Sequence, residues 1–302
     1  MSKLSTHPGI VVGVDGSPGS DAAVQWAAHD AELRNVPLTL AHVLPVTADS
    51  WLSASLLPAW THGQQERGQQ LMDEALKIAQ DSRQPGSAPI YCEMPSAVTV
   101  PALVEMSRGA ELVVVGCLGT GTLRGRHLGS VSSGLLYHAQ CPVVVIHDDA
   151  RLNNGTEAAP VLVGIDSSPE SELAIAIAFD EASRRHVELT ALRAWKPVGV
   201  FDSVVSLPGP SWSDLRAKED VIMAERLAGW SERYPDVPVR RVVARDHPAR
   251  QLVDGSASAQ LVVVGSHGSG GFAGMLLGSV SAAVVLLAHV PVIVAREPLA
   301  KA

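Results

Sequence analysis

Two sets of small residues recur in this chain at one spacing. Gly116, Gly119, Gly129 and Ser130 form G-x2-G-x9-G-S, and Gly265, Gly268, Gly278 and Ser279 repeat it. Each set follows an apolar, valine-rich run, Leu112–Val115 or Leu261–Val264, and leads into a helix-like pattern. Residues of these types in this order suit an anion. Glycines placed straight after a strand permit positive φ and a close approach of backbone to ligand. The segment from Gly129 to Gln140 reads as a helix that starts at Gly-Ser and docks through Val131, Leu135 and Leu136. Unpaired N–H groups at such a start, with the positive end of the helix dipole, take up phosphate. The hydroxyls of Ser130, Ser132, Ser279 and Ser281 offer further donors. The competing reading is a tight turn with a serine cap and no ligand.

Two carboxylates belong with these loops. Gly13-Val14-Asp15 corresponds to Gly164-Ile165-Asp166, and each aspartate stands where a strand hands over to a small-residue turn. A carboxylate there can accept from a ribose hydroxyl or approach a magnesium ion carried by phosphates. The alternative is a turn-forming aspartate bonded to nearby backbone. Thr120 and Gly121 in one loop, and Ser269 and Gly270 in the other, join the candidate binding set, as do Val131 and Val280. The loops differ in charge: the first carries Arg124, Arg126 and His127, the second only His267, at the place of Leu118. Guanidinium groups pair with phosphate oxygens, so the first site is expected to hold a triphosphate tail more tightly; a solvated basic surface is the other reading. His42 and Arg193 occupy matching places at the end of the second strand of each copy and read as structural or rim residues.

Several chemistries are missing. No G-x-x-x-x-G-K-[ST] places a lysine on β- and γ-phosphates. Gly268-Ser269-Gly270-Gly271 fails the dinucleotide spacing and follows the fourth strand, not the first. No Ser–His–Asp set, metal cluster, or evident nucleophile and base for fast turnover stands out.

The elements that must position these residues are themselves duplicated. Asp166 stands 151 positions after Asp15, whereas Gly265 stands 149 after Gly116, so the second copy is two residues shorter in its middle. With 302 residues, the chain divides into domains at 1–149 and 160–302, joined by a polar linker at 150–159 with an Asn-Asn-Gly turn. In each copy strands alternate with helices five times, which calls for βαβ units and a parallel sheet. In copy one the strands are expected at 10–14, 38–43, 90–94 and 112–115, followed by the run after Pro142. Helices are expected from Ser17-Pro18, over 64–82, over 100–108 and from Gly129, with 44–62 irregular around Trp51, Pro58 and Trp60. That irregular stretch could pack over the site, against a partner, or simply into the core. Ligands of such sheets bind at the carboxyl ends of strands, where the strand order reverses.

A net charge of −8 gives no overall pull on nucleic acid or anionic membranes. No apolar run is long enough to span a bilayer and no leader is evident, so a cytoplasmic protein without membrane insertion is expected. Cys92, Cys117 and Cys141 lack paired or metal-type spacing and read as reduced thiols, Cys117 as a small filler.

The duplicated G-x2-G-x9-G-S motif, each copy preceded by V-G-[VI]-D, resembles the universal stress protein family in its tandem form, above all that of mycobacteria and related actinobacteria. The resemblance implies an α/β fold: in each domain an open five-stranded parallel sheet of order 3-2-1-4-5 with helices on both faces. It implies ATP in each domain, with Asp15 and Asp166 on ribose or Mg2+, and backbone near Val43 and Ala194 on adenine. The phosphates would fall to Gly116, Gly119, Gly129, Ser130 and Val131, and to Gly265, Gly268, Gly278, Ser279 and Val280. It further implies pairing through the last strand, hence a homodimer, and a cytoplasmic regulator of stress or dormancy and of growth. Such a regulator would act on an unknown protein partner with slow hydrolysis at most. Copy one departs at Cys117-Leu118, where Ser-His is the commoner pair, so any role of that histidine is absent there. Two other function classes remain open. An adenylyl-transferring enzyme of related topology would want S-G-G-x-D-S after the first strand, which Val14–Pro18 does not supply. A scaffold whose loops are only turns would bind no nucleotide.

Overall fold

The computed structural model describes residues 9–45, 57–120, 127–148, 150, 158–194, 211–268 and 276–296. They form two compact units, the first holding the described residues up to 150 and the second those from 158 to 295. The first runs β1 (Ile10–Gly13), α1 (Pro18–Arg34), β2 (Leu38–Ala41), β3 (Leu44–Pro45), α2 (Leu57–Asp81), β4 (Ile90–Glu93), β5 (Ser96–Ala97), α3 (Thr99–Ser107), β6 (Leu112–Gly116), α4 (Ser130–His138) and β7 (Val143–Ile146). The second runs β8 (Val161–Gly164), α5 (Pro169–Arg185), β9 (Leu189–Ala194), α6 (Trp212–Arg233), β10 (Val239–Ala244), α7 (Pro248–Ser256), β11 (Leu261–Gly265), α8 (Ser279–Leu287) and β12 (Val292–Ala295).

The apolar runs become strands buried on both faces. Ile10, Val12, Val113, Val114 and Val143–Ile146 have no solvent exposure, and each such side chain contributes roughly 1.5–3 kcal/mol of hydrophobic stabilisation. Pairing is parallel throughout each main sheet. In the first unit β4 pairs with β2, β2 with β1, β1 with β6, and β6 with β7. The second unit gives β10-β9-β8-β11-β12. Numbered within its own unit, each sheet has order 3-2-1-4-5. β1 therefore has β2 on one side and β6 on the other, and the order reverses there. The register Gly13↔Ala41 and Val12↔Val114 brings the exits of β1, β2 and β6 to one rim.

The helix signals act where the sequence places them. Ser17 caps α1 by accepting from Ser20 N–H at 3.2 Å, with Pro18 at the first position. Asn35 ends it in the left-handed region, at φ 53°, a conformation that asparagine tolerates better than most residues. α5 repeats both ends with Ser168, Pro169 and His186. One expectation fails: α2 begins at Leu57, not near Gln64, so the irregular stretch is shorter than 44–62. Proline is acceptable in a first helical turn, and Pro58 sits there. Trp51 lies outside the described residues. Along α2, Met72, Ala75 and Ala79 are buried.

Candidate functional site

At the switch point of the first sheet the strand exits enclose a cavity of about 490 Å³. It is lined by Gly13, Asp15 and Val43 from the β1–β2 side, and by Gly116, Gly119, Thr120, Gly129, Ser130, Val131 and Ser132 from the β6–α4 side. Val14, Ala41, Leu103, Val115, Leu118 and Leu128 give it apolar walls. Gly121, Arg124 and Arg126 lie outside the described residues. Thr99 and Leu103 of α3, Ser20 and Leu128 also line the cavity, although the sequence reading had not singled them out.

The turn after β1 is built around Asp15. Ser17 donates to Asp15 Oδ1 from its N–H at 3.0 Å and from its hydroxyl at 2.6 Å. Asp15 N–H donates to Ser20 Oγ at 3.1 Å, which ties the turn to α1. Among the described residues the other carboxylate oxygen, Oδ2, accepts only a long bond from Thr120 N–H, at 3.3 Å, so Asp15 also joins β1 to the glycine loop. The turn-forming role is thus realised, and one oxygen is left weakly engaged beside the cavity. Asp21, in the first turn of α1, feels the crowding: burial, then the Glu74 and Asp15 carboxylates, push its pKa up.

The signature glycines do not use the positive φ expected of them. Among the described glycines positive φ occurs at Gly9, Gly16 and Gly86, and at no glycine of either signature. What matters at Gly116 is the missing side chain: a Cβ there would stand 2.7 Å from the carbonyl carbon of Gly19, inside the start of α1. At Gly119 a Cβ would stand 2.6 Å from Asp15 Oδ2. The first glycine lets a helix approach the strand, and the second lets a carboxylate approach the loop.

Gly129 is the N-cap of α4, with no side-chain cap bond. The first helical backbone bond runs from Ser133 N–H to Gly129 O, at 3.0 Å. The amides of Ser130, Val131 and Ser132 precede it, beside the cavity that these residues line. They carry the positive end of the helix dipole. One proposed donor is lost: the Ser132 hydroxyl turns inward to Cys117 O at 2.9 Å and Gly129 O at 3.0 Å. Ser281 does the same toward Gly265 O at 2.6 Å. Both serines are buried, whereas Ser130 and Ser279 are exposed. Cys117 is buried, in keeping with a filler.

The second unit repeats the arrangement. Ser168 donates to Asp166 Oδ1 from N–H at 2.9 Å and from Oγ at 2.5 Å, and Asp166 N–H reaches Ser171 Oγ at 3.1 Å. A Cβ on Gly268 would meet Asp166 Oδ2 at 2.7 Å. Gly278 caps α8 without a side-chain bond, ahead of Ser279, Val280 and Ser281. Gly164 and Ala194 end β8 and β9, while Ser269 and Gly270 fall outside the described residues. Two features differ. His42 turns Nδ1 to Val14 O at 2.7 Å in the first unit. In the second, Arg193 pairs with Glu219 of α6 at 2.5 Å and donates to Ser167 Oγ at 3.3 Å. Arg226 of α6 donates to the carbonyls of Asp166 and Ser168, a contact that no motif announced.

No group of three metal-type ligands occurs among the described residues. A magnesium ion at Asp15 or Asp166 would therefore arrive with phosphates, as that ion commonly does. The weakly engaged Oδ2 and the local negative field felt by Asp21 fit such an ion.

Comparison with known proteins agrees with this architecture. The profile of the Universal stress protein family matches residues 9–147 and 158–296. A universal stress protein of Mycobacterium tuberculosis is 54% identical over 300 residues, covering 99% of this chain and all of the relative. One of Mycobacterium bovis is 52% identical over 298 residues, covering 98% of this chain and all of the relative. A universal stress protein structure from Archaeoglobus fulgidus superposes with a TM-score of 0.67 at 20% identity, covering 97% of each chain, which speaks to the fold. The chain belongs to the universal stress protein family and carries two of its domains in tandem.

Proposed function

We propose that each half binds one ATP with Mg2+, and that the protein is a nucleotide-dependent regulator of stress or dormancy and of growth. The observation that carries this reading is the duplicated pairing of a carboxylate with an uncapped helix start at the carboxyl rim of a parallel sheet. In the first unit that pair faces a cavity with apolar walls beside Val43, suited to a base. Amides at the start of α4, at Ser130 to Ser132, would take the phosphates, and Asp15 the ribose or the magnesium ion. Ser279 to Ser281 and Asp166 would do so in the second unit. The metal, when bound, would neutralise phosphate charge.

Binding, with slow hydrolysis at most, is the chemistry these residues favour. His42 meets the Val14 carbonyl through Nδ1, and Asp15 Oδ1 is committed to its own turn through Ser17, so the contacts these side chains make serve to hold the site. A homodimer formed through the last strand of a domain, a cytoplasmic location and a protein partner that senses the nucleotide state belong to the same proposal. No described helix is long and apolar enough to cross a membrane.

Mass spectrometry of the purified, denatured protein tests the reading. It should find ATP, up to two per chain. Absence of nucleotide, together with no binding of added Mg-ATP, would leave a scaffold. Turnover with an acceptor would point to an adenylyl-transferring enzyme.

A further inference from the structure

In the second unit, α6 grips the turn that carries Asp166, and it does so with two arginines. Arg226 of α6 donates from Nη1 to the Asp166 carbonyl and from Nη2 to the Ser168 carbonyl, the latter at 3.5 Å. Arg193, near the end of β9, donates from Nη2 to Ser167 Oγ at 3.3 Å, while its Nε pairs with Glu219 of α6 at 2.5 Å. Each residue from Asp166 to Ser168 is thus tied to α6, directly or through Arg193. Arg226 is itself aimed by Glu172, in the first turn of α5. Glu172 Oε2 stands 3.5 Å from Nη2, and Oε1 accepts from Trp230 Nε1 at 2.8 Å, one turn further along α6.

The first unit holds its matching turn differently. Gly16 there has φ 76°, and a Cβ on it would stand 2.4 Å from Leu71 Cδ2. An apolar side chain of α2 therefore packs onto a glycine. At the corresponding place the second unit has Ser167, which does not adopt positive φ. Its turn is held by guanidinium N–H groups, whose planar fork suits two acceptors at a fixed separation.

The backbone of this turn decides where the Asp166 carboxylate stands. Ser168 fixes Oδ1 through its N–H at 2.9 Å and its hydroxyl at 2.5 Å. Oδ2 lies against the glycine loop, where a Cβ on Gly268 would come within 2.7 Å of it. The carboxylate cannot move independently of the turn, so what anchors the turn sets the carboxylate.

We infer that Arg226 is a positioning residue for the nucleotide site of the second half. By holding the Asp166 and Ser168 carbonyls to α6, it sets the Asp166 carboxylate over the glycine loop. The inference rests on the reading that each half binds Mg-ATP, and it makes α6 the element through which the second site is tuned.

Calorimetric titration of the full-length protein with Mg-ATP tests it. Arg226→Met removes the donors and should weaken one of the two sites about tenfold while leaving the other unchanged. Arg226→Lys keeps a point donor without the fork and should weaken the same site less. It also carries the test if the methionine variant folds poorly. Added to Asp166→Ala, Arg226→Met should weaken that site no further, whereas an arginine with a merely structural role would cost the same in both backgrounds. Without nucleotide, amide exchange at Ser168 and Ser171 should quicken in Arg226→Met, and that at Ser17 and Ser20 should not. Unchanged affinities, equal losses at both sites, an undiminished loss in the Asp166→Ala background, or unchanged exchange at Ser168 overturns the inference. A parent protein that binds no Mg-ATP in its second half overturns the underlying reading and the inference with it; two-site binding by the parent keeps the two failures apart.

Discussion

The sharpest perturbation of the first crevice is Gly119→Ala. The new Cβ would sit 2.6 Å from Asp15 Oδ2, and ordinary contact begins near 3.4 Å, so the carboxylate must retreat by 0.8 Å. It cannot retreat as a whole, because Ser17 holds Oδ1 through two hydrogen bonds, at 2.6 and 3.0 Å. The carboxylate therefore pivots, and the long bond from Thr120 N–H, at 3.3 Å, breaks. That bond is exposed, so its loss costs under about 1 kcal/mol of stability, a fall in Tm of about 2–4 °C. The effect on nucleotide is larger. A misplaced hydrogen bond to a charged group costs about 1.5 kcal/mol at the low end, or about tenfold in Kd. Calorimetric titration with Mg-ATP should show one of two sites weakened by that factor, with the other unchanged. Gly268→Ala, where the contact is 2.7 Å to Asp166 Oδ2, should do the same to the other site. Asp15→Ala is the blunter tool, since it also dismantles the Ser17 turn. Two undisturbed sites in a well-folded Gly119→Ala protein would show that Asp15 does not face the nucleotide.

Gly116→Ala should act on stability first. Its Cβ would stand 2.7 Å from Gly19 backbone, and such overpacking costs about 1–3 kcal/mol, measurable as a lower urea midpoint at unchanged slope. The basic loop of copy one predicts that Asp166→Ala, which leaves the first site, retains tighter Mg-ATP binding at low salt than Asp15→Ala, which leaves the second; equal affinities would reject it. Burial pushes the Cys141 thiol up to about 12 from an ordinary 9.0. Below the ordinary value both folded and unfolded states keep the proton. As pH rises toward the folded value the unfolded state ionises first, so stability falls over that window. Urea titrations on either side of it should show the fall in the parent protein and a smaller one in Cys141→Ala.

Much of this architecture is legible in the sequence because it rests on local rules. A run such as Leu112–Val115 has no polar face to expose, and Ser17-Pro18 can only open a helix efficiently. Duplication helped, since Asp15 and Asp166 would each be a plausible turn residue alone. What escaped the sequence depends on neighbours distant along the chain. The purpose of Gly116 is set by Gly19, and that of Gly119 by Asp15, so clearance rather than backbone freedom decides both. The inward turn of the Ser132 and Ser281 hydroxyls follows from carbonyls of the glycine loops and of β11. The start of α2 was obscured by Pro58 and two tryptophans, residues that suggest irregular chain although a first helical turn accepts the proline. Arg226 carries no local signal, because its interest lies in which carbonyls it meets.

The central claim is that main-chain amides at two helix starts hold a nucleotide's phosphates. A crystal structure of the full chain grown with millimolar Mg-ATP tests it most directly. The account predicts a triphosphate within hydrogen-bond distance of the Ser130–Ser132 amides in one half and of the Ser279–Ser281 amides in the other. Crevices without nucleotide in both halves, or phosphates bound elsewhere, would contradict it.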